Sequence, residues 1–239
     1  MNSNRSIMTR PLFLFLFLFC YTLSFGQRNY NYRNYQQHQF FSSADFRVGF
    51  PLGEFRDHLD ANAEGLGGYT MFRLNETPFV LGVEGSWLTY AREVLRDGPF
   101  DWRTNSHMIT GHAVIQFDPP VDLPIKPYVN GMLGFKNIYT KTRRIDVNAQ
   151  TNRVVDRKSN LNDWAFSYGG AGGFYISLGQ SLPVVVDVRV AYLRGGNAKY
   201  YARNDDIDIQ TVDNPIDVFE VKSGLTHMLI LQFGLVLVL

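Results

Sequence analysis

From Phe40 to the end of the chain, apolar residues recur at every second position instead of forming long runs. A period of two places successive side chains on opposite faces of a β-strand. Each such segment has one apolar face and one face of mixed polar, small and charged residues. The last segment shows the pattern with Leu229, Leu231, Phe233, Leu235, Leu237 and Leu239 on its apolar face.

Eight segments of this kind follow one another, each long enough to cross a bilayer as a tilted strand, for which about 9–11 residues suffice. They are 40–51, 65–74, 79–92, 105–117, 126–142, 163–178, 184–197 and 223–239. Short connections at 75–78, 118–124 and 179–183 alternate strictly with long polar ones at 52–64, 93–104, 143–162 and 198–222. Membrane barrels have this order because their short turns lie at one end and their loops at the other.

The physics of a bilayer explains why strands rather than helices are expected. In hydrocarbon every backbone amide must be paired within the protein, so a sheet spans the membrane only when it closes on itself. We therefore predict an all-β fold, an eight-stranded antiparallel up-and-down transmembrane β-barrel over 40–239, with apolar faces toward lipid. Aromatic residues near the segment ends are expected to form interfacial girdles: Trp87, Tyr90, Tyr139, Trp164, Phe166, Tyr192, Tyr200 and Tyr201.

The N-terminus has the order of a secretory signal peptide. Arg5 and Arg10 precede an apolar core that ends at Phe19, and small residues follow at Ser24 and Gly26. Residues 1–26 are predicted to be removed by cleavage after Gly26. An uncleaved anchor helix is disfavoured because the apolar core is shorter than the roughly 20 residues of a spanning helix. A lipid anchor on Cys20 is disfavoured because bulky Phe19 precedes it.

Residues 27–39, with the sequence QRNYNYRNYQQHQ, contain no aliphatic side chain and are predicted to form a flexible tail.

The composition of the chain argues against several classes of ligand. Lys and Arg number 23 against 22 Asp and Glu, so nothing suggests a nucleic-acid partner. A single cysteine excludes an intramolecular disulfide framework and a cysteine-rich metal site. We found no phosphate-binding loop, metal-spaced cluster or dinucleotide motif, and expect no cofactor and no metal.

The signal peptide, the eight alternating segments and a terminal strand that ends at the last residue resemble the small OmpA-like or OmpX-like outer-membrane β-barrel proteins of Gram-negative bacteria. Glycine-rich pieces at 49–55, 168–174 and 192–196 are also similar to strand segments of such proteins. The chain departs from the family in ending on Leu239 where these barrels commonly end in phenylalanine. The resemblance implies location in the outer membrane, periplasmic termini and long loops outside the cell.

Polar residues on the mixed faces are expected to point into the barrel, which at eight strands is just wide enough for side chains to fill it. Unpaired charges there would be very costly, so Glu84 and Asp187 are expected to pair with Lys136, Arg189 or Arg73. The full inward set is Arg73, Glu84, His112, Gln116, Asn130, Lys136, Asp187, Arg189 and Gln232. Such a network would act as a structural plug or, alternatively, as the gate of a narrow channel.

The connections differ in charge. The 143–162 connection is basic, with Arg143, Arg144, Arg153, Arg157 and Lys158, whereas 202–220 is acidic. The basic connection is either an anion-contacting loop that binds lipopolysaccharide phosphates or a solvated hairpin tip. Outer-membrane lipid is therefore the expected partner, with lipopolysaccharide and an unidentified protein as further candidates.

Catalytic candidates are few. Ser106, His107 and His227, with acids at Asp205, Asp206 and Asp208, are the best available set, but no spacing among them is diagnostic of an enzyme. We therefore predict a non-enzymatic barrel with a structural or surface-interaction role through its loops. The alternatives are a pore or transporter for small solutes, a barrel enzyme acting on lipid or peptide, and a soluble lipocalin-like barrel with its apolar faces inside.

Overall fold

The computed structural model describes residues 39–59, 61–75, 77–97, 100–120, 125–146, 153–178, 183–204, 207, 212 and 214–239. The predicted signal peptide, and the predicted tail up to residue 38, lie outside this part of the chain. The elements in chain order are β1 (Phe40–Leu52), α1 (Glu54–His58), β2 (Ala63–Arg73), β3 (Phe79–Asp97), β4 (Phe100–Phe117), β5 (Ile125–Asp146), β6 (Arg153–Ser177), β7 (Val184–Gly195), β8 (Asn197–Arg203), a 3-10 helix (Pro215–Val218), β9 (Phe219–Leu225) and β10 (His227–Val238). None of the helices found in the described ranges has the length and apolar character needed to span a membrane.

Eight strands close into one antiparallel barrel in the order β1-β10-β7-β6-β5-β4-β3-β2. The first and last strands complete the cylinder, with Phe46 opposite Phe233. The predicted fold class is thereby confirmed. The two strands that lie outside the cylinder, β8 and β9, form a hairpin inserted between β7 and β10. The segment predicted at 223–239 is consequently divided between β9 and β10.

The barrel has two unlike ends. At one, the turn end, Phe40 and Leu239 meet and the chain turns between β2 and β3. At the other, the hairpin end, β3 with β4 and β5 with β6 continue as paired strands. The connections predicted at 93–104 and 143–162 are thus largely strand, and this corrects the prediction. The prediction depended on an apolar face, which these extensions lack because they lie beyond the lipid-facing belt.

The apolar faces point outward, as predicted for a membrane barrel. Leu66, Val83 and Leu133, on the apolar faces of their strands, expose 64%, 62% and 57% of their surface. Their sequence neighbours on the same strands point inward, and Glu84 and Met132 expose only 6% and 4%. This arrangement is the inverse of a lipocalin-like barrel, whose apolar faces would lie inside.

A row of aromatic side chains on β3, β4 and β5 marks the edge of the apolar belt that is nearer the hairpin end. Trp87 Nε1 donates a hydrogen bond to the Tyr139 hydroxyl at 3.0 Å, and the His107 ring lies between the two residues, with centroids 4.9 and 5.2 Å away. Trp164, Phe166 and Tyr192 also face outward. Three of the predicted girdle residues are not part of the row. Tyr90 and Tyr200 are buried, because a register shift at Tyr90 and the β8–β9 hairpin turn them toward the interior. Tyr201 lies on β8, outside the barrel wall.

Candidate functional site

Glu84 on β3 is the centre of a buried charge cluster that fills the middle of the barrel. Arg189 Nη2 on β7 donates to Glu84 Oε2, and Arg47 Nη1 on β1 lies 3.5 Å from Glu84 Oε1. His112 Nδ1 on β4 lies 3.2 Å from the same oxygen. Alternation places all four side chains on inward faces, and four different strands contribute them. The predicted pair of Glu84 with Arg189 is present.

Asp45 and Arg47 belong to this cluster, although neither was singled out from the sequence. Arg47 Nε donates to Asp45 Oδ1 at 2.5 Å, and Nη2 donates to Oδ2 at 3.2 Å. A Cβ added to Gly67 on the neighbouring β2 would overlap the Arg47 guanidinium, so that glycine makes room for it. Alternation over 40–51 could have predicted their position, because it places both charges on the same inward face as Phe41.

Asp187 is bound by tyrosines rather than by the lysine or arginines expected for it. Tyr128 donates its hydroxyl proton to Asp187 Oδ1 at 2.5 Å, and Tyr69 donates to Oδ2 at 3.1 Å. The Tyr175 ring stacks on Tyr128 with centroids 4.5 Å apart, and Gln116 Nε2 donates to the Tyr175 hydroxyl at 3.1 Å. Aromatic rings thus fill the lumen and also supply the hydrogen bonds of the carboxylate.

Arg73 and Lys136 are too far along the barrel to join the central cluster. Arg73 Nη2, at the turn end, pairs with Asp118 Oδ2 at 2.6 Å. Lys136 lies opposite Thr110, two residues beyond His112 toward the hairpin end, and its Nζ donates to the Thr226 carbonyl at 2.5 Å. The expectation that Lys136 or Arg73 pairs with Glu84 or Asp187 is therefore wrong. Strand register sets the height of each side chain, which composition alone does not reveal.

The hairpin end is covered by α1 and the β8–β9 hairpin, which we call the cap. Phe55 of α1 is fully buried, and its ring lies 4.9 Å from Tyr200 of β8 and 6.4 Å from Tyr90 of β3. Glu54 Oε2 accepts a hydrogen bond from the Leu225 backbone N–H of β9 at 3.0 Å. The cap is thus attached to the barrel through an apolar cluster and polar contacts.

Tyr200 has the most perturbed environment in the cap. Its hydroxyl lies 2.7 Å from His58 Nδ1. Burial, followed by the negative charges of Glu54 and Asp57, raises the pKa of Tyr200 to about 12. The raised pKa keeps the phenol protonated at physiological pH.

The catalytic candidates are not brought together. Ser106 points inward and its Oγ lies 2.8 Å from Thr140 Oγ1, whereas His107 points outward with Nδ1 2.9 Å from Thr89 Oγ1. Adjacent residues of a strand face opposite sides, so this pair cannot act as nucleophile and base on one substrate. His227 Nδ1 accepts from the Gly195 N–H at 3.1 Å. Asp205, Asp206 and Asp208 lie outside the described residues.

The five basic residues predicted as one anion-contacting loop are divided among strands and faces. Arg143 is exposed on the outward face of β5, whereas the Arg144 guanidinium lies 3.8 Å from the Phe100 ring centroid. Lys158 on β6 lies opposite Thr142, a buried residue. The backbones of Arg153 and Arg157 lie in β6, and their side chains are outside the described part of the chain. Residues 143–146 and 153–158 are therefore paired strands rather than loop.

Within the ranges that the structure describes, no group of three or more His, Cys, Asp or Glu side chains is placed to hold a metal ion. The arrangement is instead one of paired charges and tyrosine hydroxyls inside a closed sheet. Within the central cluster, removal of Glu84 would leave the buried Arg189 guanidinium uncompensated, so the cluster is costly to disrupt.

A closed eight-stranded sheet with an apolar belt outside and polar side chains inside defines the class of this protein: it is a small transmembrane β-barrel of the outer-membrane type. Among solved structures, the chain is similar to Neisserial surface protein A, with 14% identity, a TM-score of 0.38, and coverage of 83% of this chain and 96% of that one. It is also similar to Ail, the attachment invasion locus protein of Yersinia pestis, with 14% identity, a TM-score of 0.36, and coverage of 83% and 98%.

A major outer membrane protein from Thermus thermophilus is similar at 12% identity, with a TM-score of 0.44 and coverage of 84% of this chain and 100% of that one. No protein-family model and no curated protein sequence matches the chain. At such low identity the assignment of fold rests on the strand pairing of the chain itself, which closes without an open edge from β1 to β10.

Proposed function

We propose that the protein is a non-enzymatic, non-conducting barrel of the outer membrane whose cap and strand extensions form a surface for interaction outside the cell. The observation that carries this proposal is the filled interior. Ion pairs join Glu84 to Arg47 and Arg189 across the lumen, and each of the three side chains is at least 94% buried. Tyrosine hydroxyls, such as that of Tyr128, donate hydrogen bonds to Asp187 in the same interior. Function then resides in the exposed hairpin end, as is usual where a rigid scaffold presents its connections.

The competing function is a gated channel for small solutes. Opening it would require separation of Glu84 from two arginines in a low-dielectric interior, and displacement of Phe55 and Tyr200 from the cap. Each uncompensated buried charge would cost several kcal/mol. Because nothing supplies that free energy in the resting protein, we favour the closed state as the functional one.

Planar-bilayer recording distinguishes these functions. The purified full chain, reconstituted in a lipid bilayer, is expected to give no stepwise conductance, because the cluster around Glu84 blocks ion passage. A 16-stranded porin, which has an aqueous channel, serves as the positive control in the same bilayer. Reproducible unitary steps from the wild-type protein would reject the non-conducting proposal and favour the channel.

The proposal places the protein in the outer membrane with residues 1–26 removed, both termini periplasmic and the hairpin end outside. Arg5, Arg10 and the apolar core that follows them support export, and Gly26 supports the cleavage position. Intact-mass spectrometry of protein purified from outer membranes is expected to show a chain that begins at Gln27. A mass that includes the first 26 residues would contradict cleavage.

A further inference from the structure

We propose that the outward face of β3, β4 and β5, just above the aromatic row, binds the phosphate groups of outer-leaflet lipid. We call the side chains of Arg92, Arg103, Lys141 and Arg143 the basic face. This inference rests on the proposed orientation of the barrel, with the hairpin end outside, and goes beyond the proposed function because it assigns a ligand to the lipid-facing side.

Strand register places the four cations in two adjacent rows. Asn105 of β4 lies opposite both Arg92 of β3 and Lys141 of β5, which defines the first row. Arg103 lies opposite Arg143 in the second row. All four cationic side chains are exposed. On β4 and β5 alternation puts them on the same side as the lipid-facing residues below, whereas on β3 the register shift between Thr89 and Ala91 brings Arg92 to that side. Three strands from two separate hairpins thus combine into one positively charged face.

The height of these rows matches that of lipid headgroups. The first row lies two residues beyond His107 and Tyr139, which is about 6–7 Å along a strand. The second lies about 13 Å beyond them. The interfacial layer on each side of the hydrocarbon core is roughly 5–8 Å thick. Because the row of Trp87, His107 and Tyr139 marks the edge of the apolar belt, the first basic row falls within the headgroup layer. The second row lies several ångströms beyond it, and its long arginine side chains can extend back toward the headgroups.

The charges on this face are poorly balanced by the protein. Arg103 and Arg143 lie directly opposite each other, an arrangement of like charges that destabilises a sheet. Asp101 lies 3.2 Å from Arg103 and is the acid paired with this face. Among the residues that the structure describes, Arg92, Lys141 and Arg143 have no ion-pair partner. A phosphate between the rows would relieve the repulsion and accept charge-assisted hydrogen bonds from the guanidinium groups.

The basic face differs from the basic connection expected at 143–162. Arg144 is excluded because its guanidinium lies over the rings of Phe100 and Trp102, at 3.8 and 5.2 Å from their centroids. The β3–β4 hairpin contributes Arg92 and Arg103 to the basic face. The sequence pattern did not predict that this hairpin lies beside the basic residues of β5. With the hairpin end outside, the first basic row stands at the height of the lipid headgroups, so we commit to a lipid phosphate rather than to a soluble anion.

The test compares binding of fluorescent lipid A by the detergent-solubilised full chain and by a triple variant, Arg92→Gln, Lys141→Gln and Arg143→Gln. Loss of charge-assisted hydrogen bonds is expected to weaken binding by about tenfold or more. A control variant with the same change in charge carries Arg56→Gln, Lys199→Gln and Lys222→Gln on the cap, and is expected to bind as the wild type does. Heat-modifiable gel migration verifies that each variant is folded.

Two results would overturn the proposal. Equal lipid A affinity of the wild type and the basic-face variant would show that these cations do not contact the lipid. Displacement of lipid A by low concentrations of inorganic phosphate would show that the face takes a free anion and not a headgroup. Neither result depends on whether the barrel conducts, so failure of this inference is distinguishable from failure of the proposed function.

Discussion

Replacement of Glu84 by glutamine is expected to lower the free energy of unfolding by about 3–5 kcal/mol, the usual cost of removing one partner from a buried ion pair. Arg189 would lose its carboxylate, and Arg47 would keep only Asp45. The neutral amide cannot compensate a guanidinium that exposes 1% of its surface. Urea unfolding in detergent micelles, followed by tryptophan fluorescence, measures the change.

Glu64 provides the matched control, because it lies on β2 beside β3 but is exposed. Glu64→Gln is expected to change stability by no more than about 0.5 kcal/mol. A double variant of Glu84→Gln with Arg189→Gln should be less destabilised than the sum of its single variants, with a coupling of about 0.5–3 kcal/mol. Equal stability of wild type and Glu84→Gln would show that the central cluster does not stabilise the barrel.

Replacement of Leu133 by arginine is expected to destabilise the reconstituted barrel by about 2–4 kcal/mol, the cost of a cation on a lipid-facing strand at the bilayer midplane. Leu133 lies opposite Ala113, which in turn lies opposite Val83, so these three residues share the middle row of the outward face. The substitution is destabilising because the guanidinium must either leave water or draw water into the hydrocarbon. Denaturant titration in phospholipid vesicles is the appropriate measurement.

Val155→Arg is the control for this substitution, since Val155 exposes 55% of its surface but lies on β6 beyond the apolar belt. It is expected to alter stability by about 0.5 kcal/mol or less. A membrane barrel requires this difference, because an arginine is costly only where the outward face meets hydrocarbon. If Leu133→Arg were as harmless as Val155→Arg, the outward face would be in water and the barrel would not span a bilayer.

The membrane barrel could be predicted because a single local rule operates over the whole of each strand. Val83 and Glu84 are neighbours with opposite environments, and the period of two assigns one to lipid and the other to the lumen without any knowledge of the partner strands. The same rule reached its limit beyond Tyr90, where the strands leave the hydrocarbon. There the sheet continues through backbone hydrogen bonds, which any sequence of moderate polarity can form. Because these extensions have no apolar face, alternation does not predict them.

The partners inside the lumen could not be predicted in the same way. Alternation states that Lys136 and Asp187 point inward, but the height of each depends on the register between strands distant in the chain. Register placed Lys136 next to Thr226, and it placed Asp187 between two tyrosines. Composition identified the charged residues, whereas geometry decided which of them meet.

The sequence by itself determined that each strand has one apolar and one mixed face, and it pointed to a closed membrane barrel, because side-chain periodicity acts within one strand and a bilayer accepts a sheet only when it closes on itself. Only the tertiary structure decided that Glu84 joins Arg47 and Arg189, that the β8–β9 hairpin covers the barrel, and that Arg103 lies opposite Arg143. Each of these contacts joins segments far apart in the chain, and their alignment is set by hydrogen-bond register and closure of the sheet.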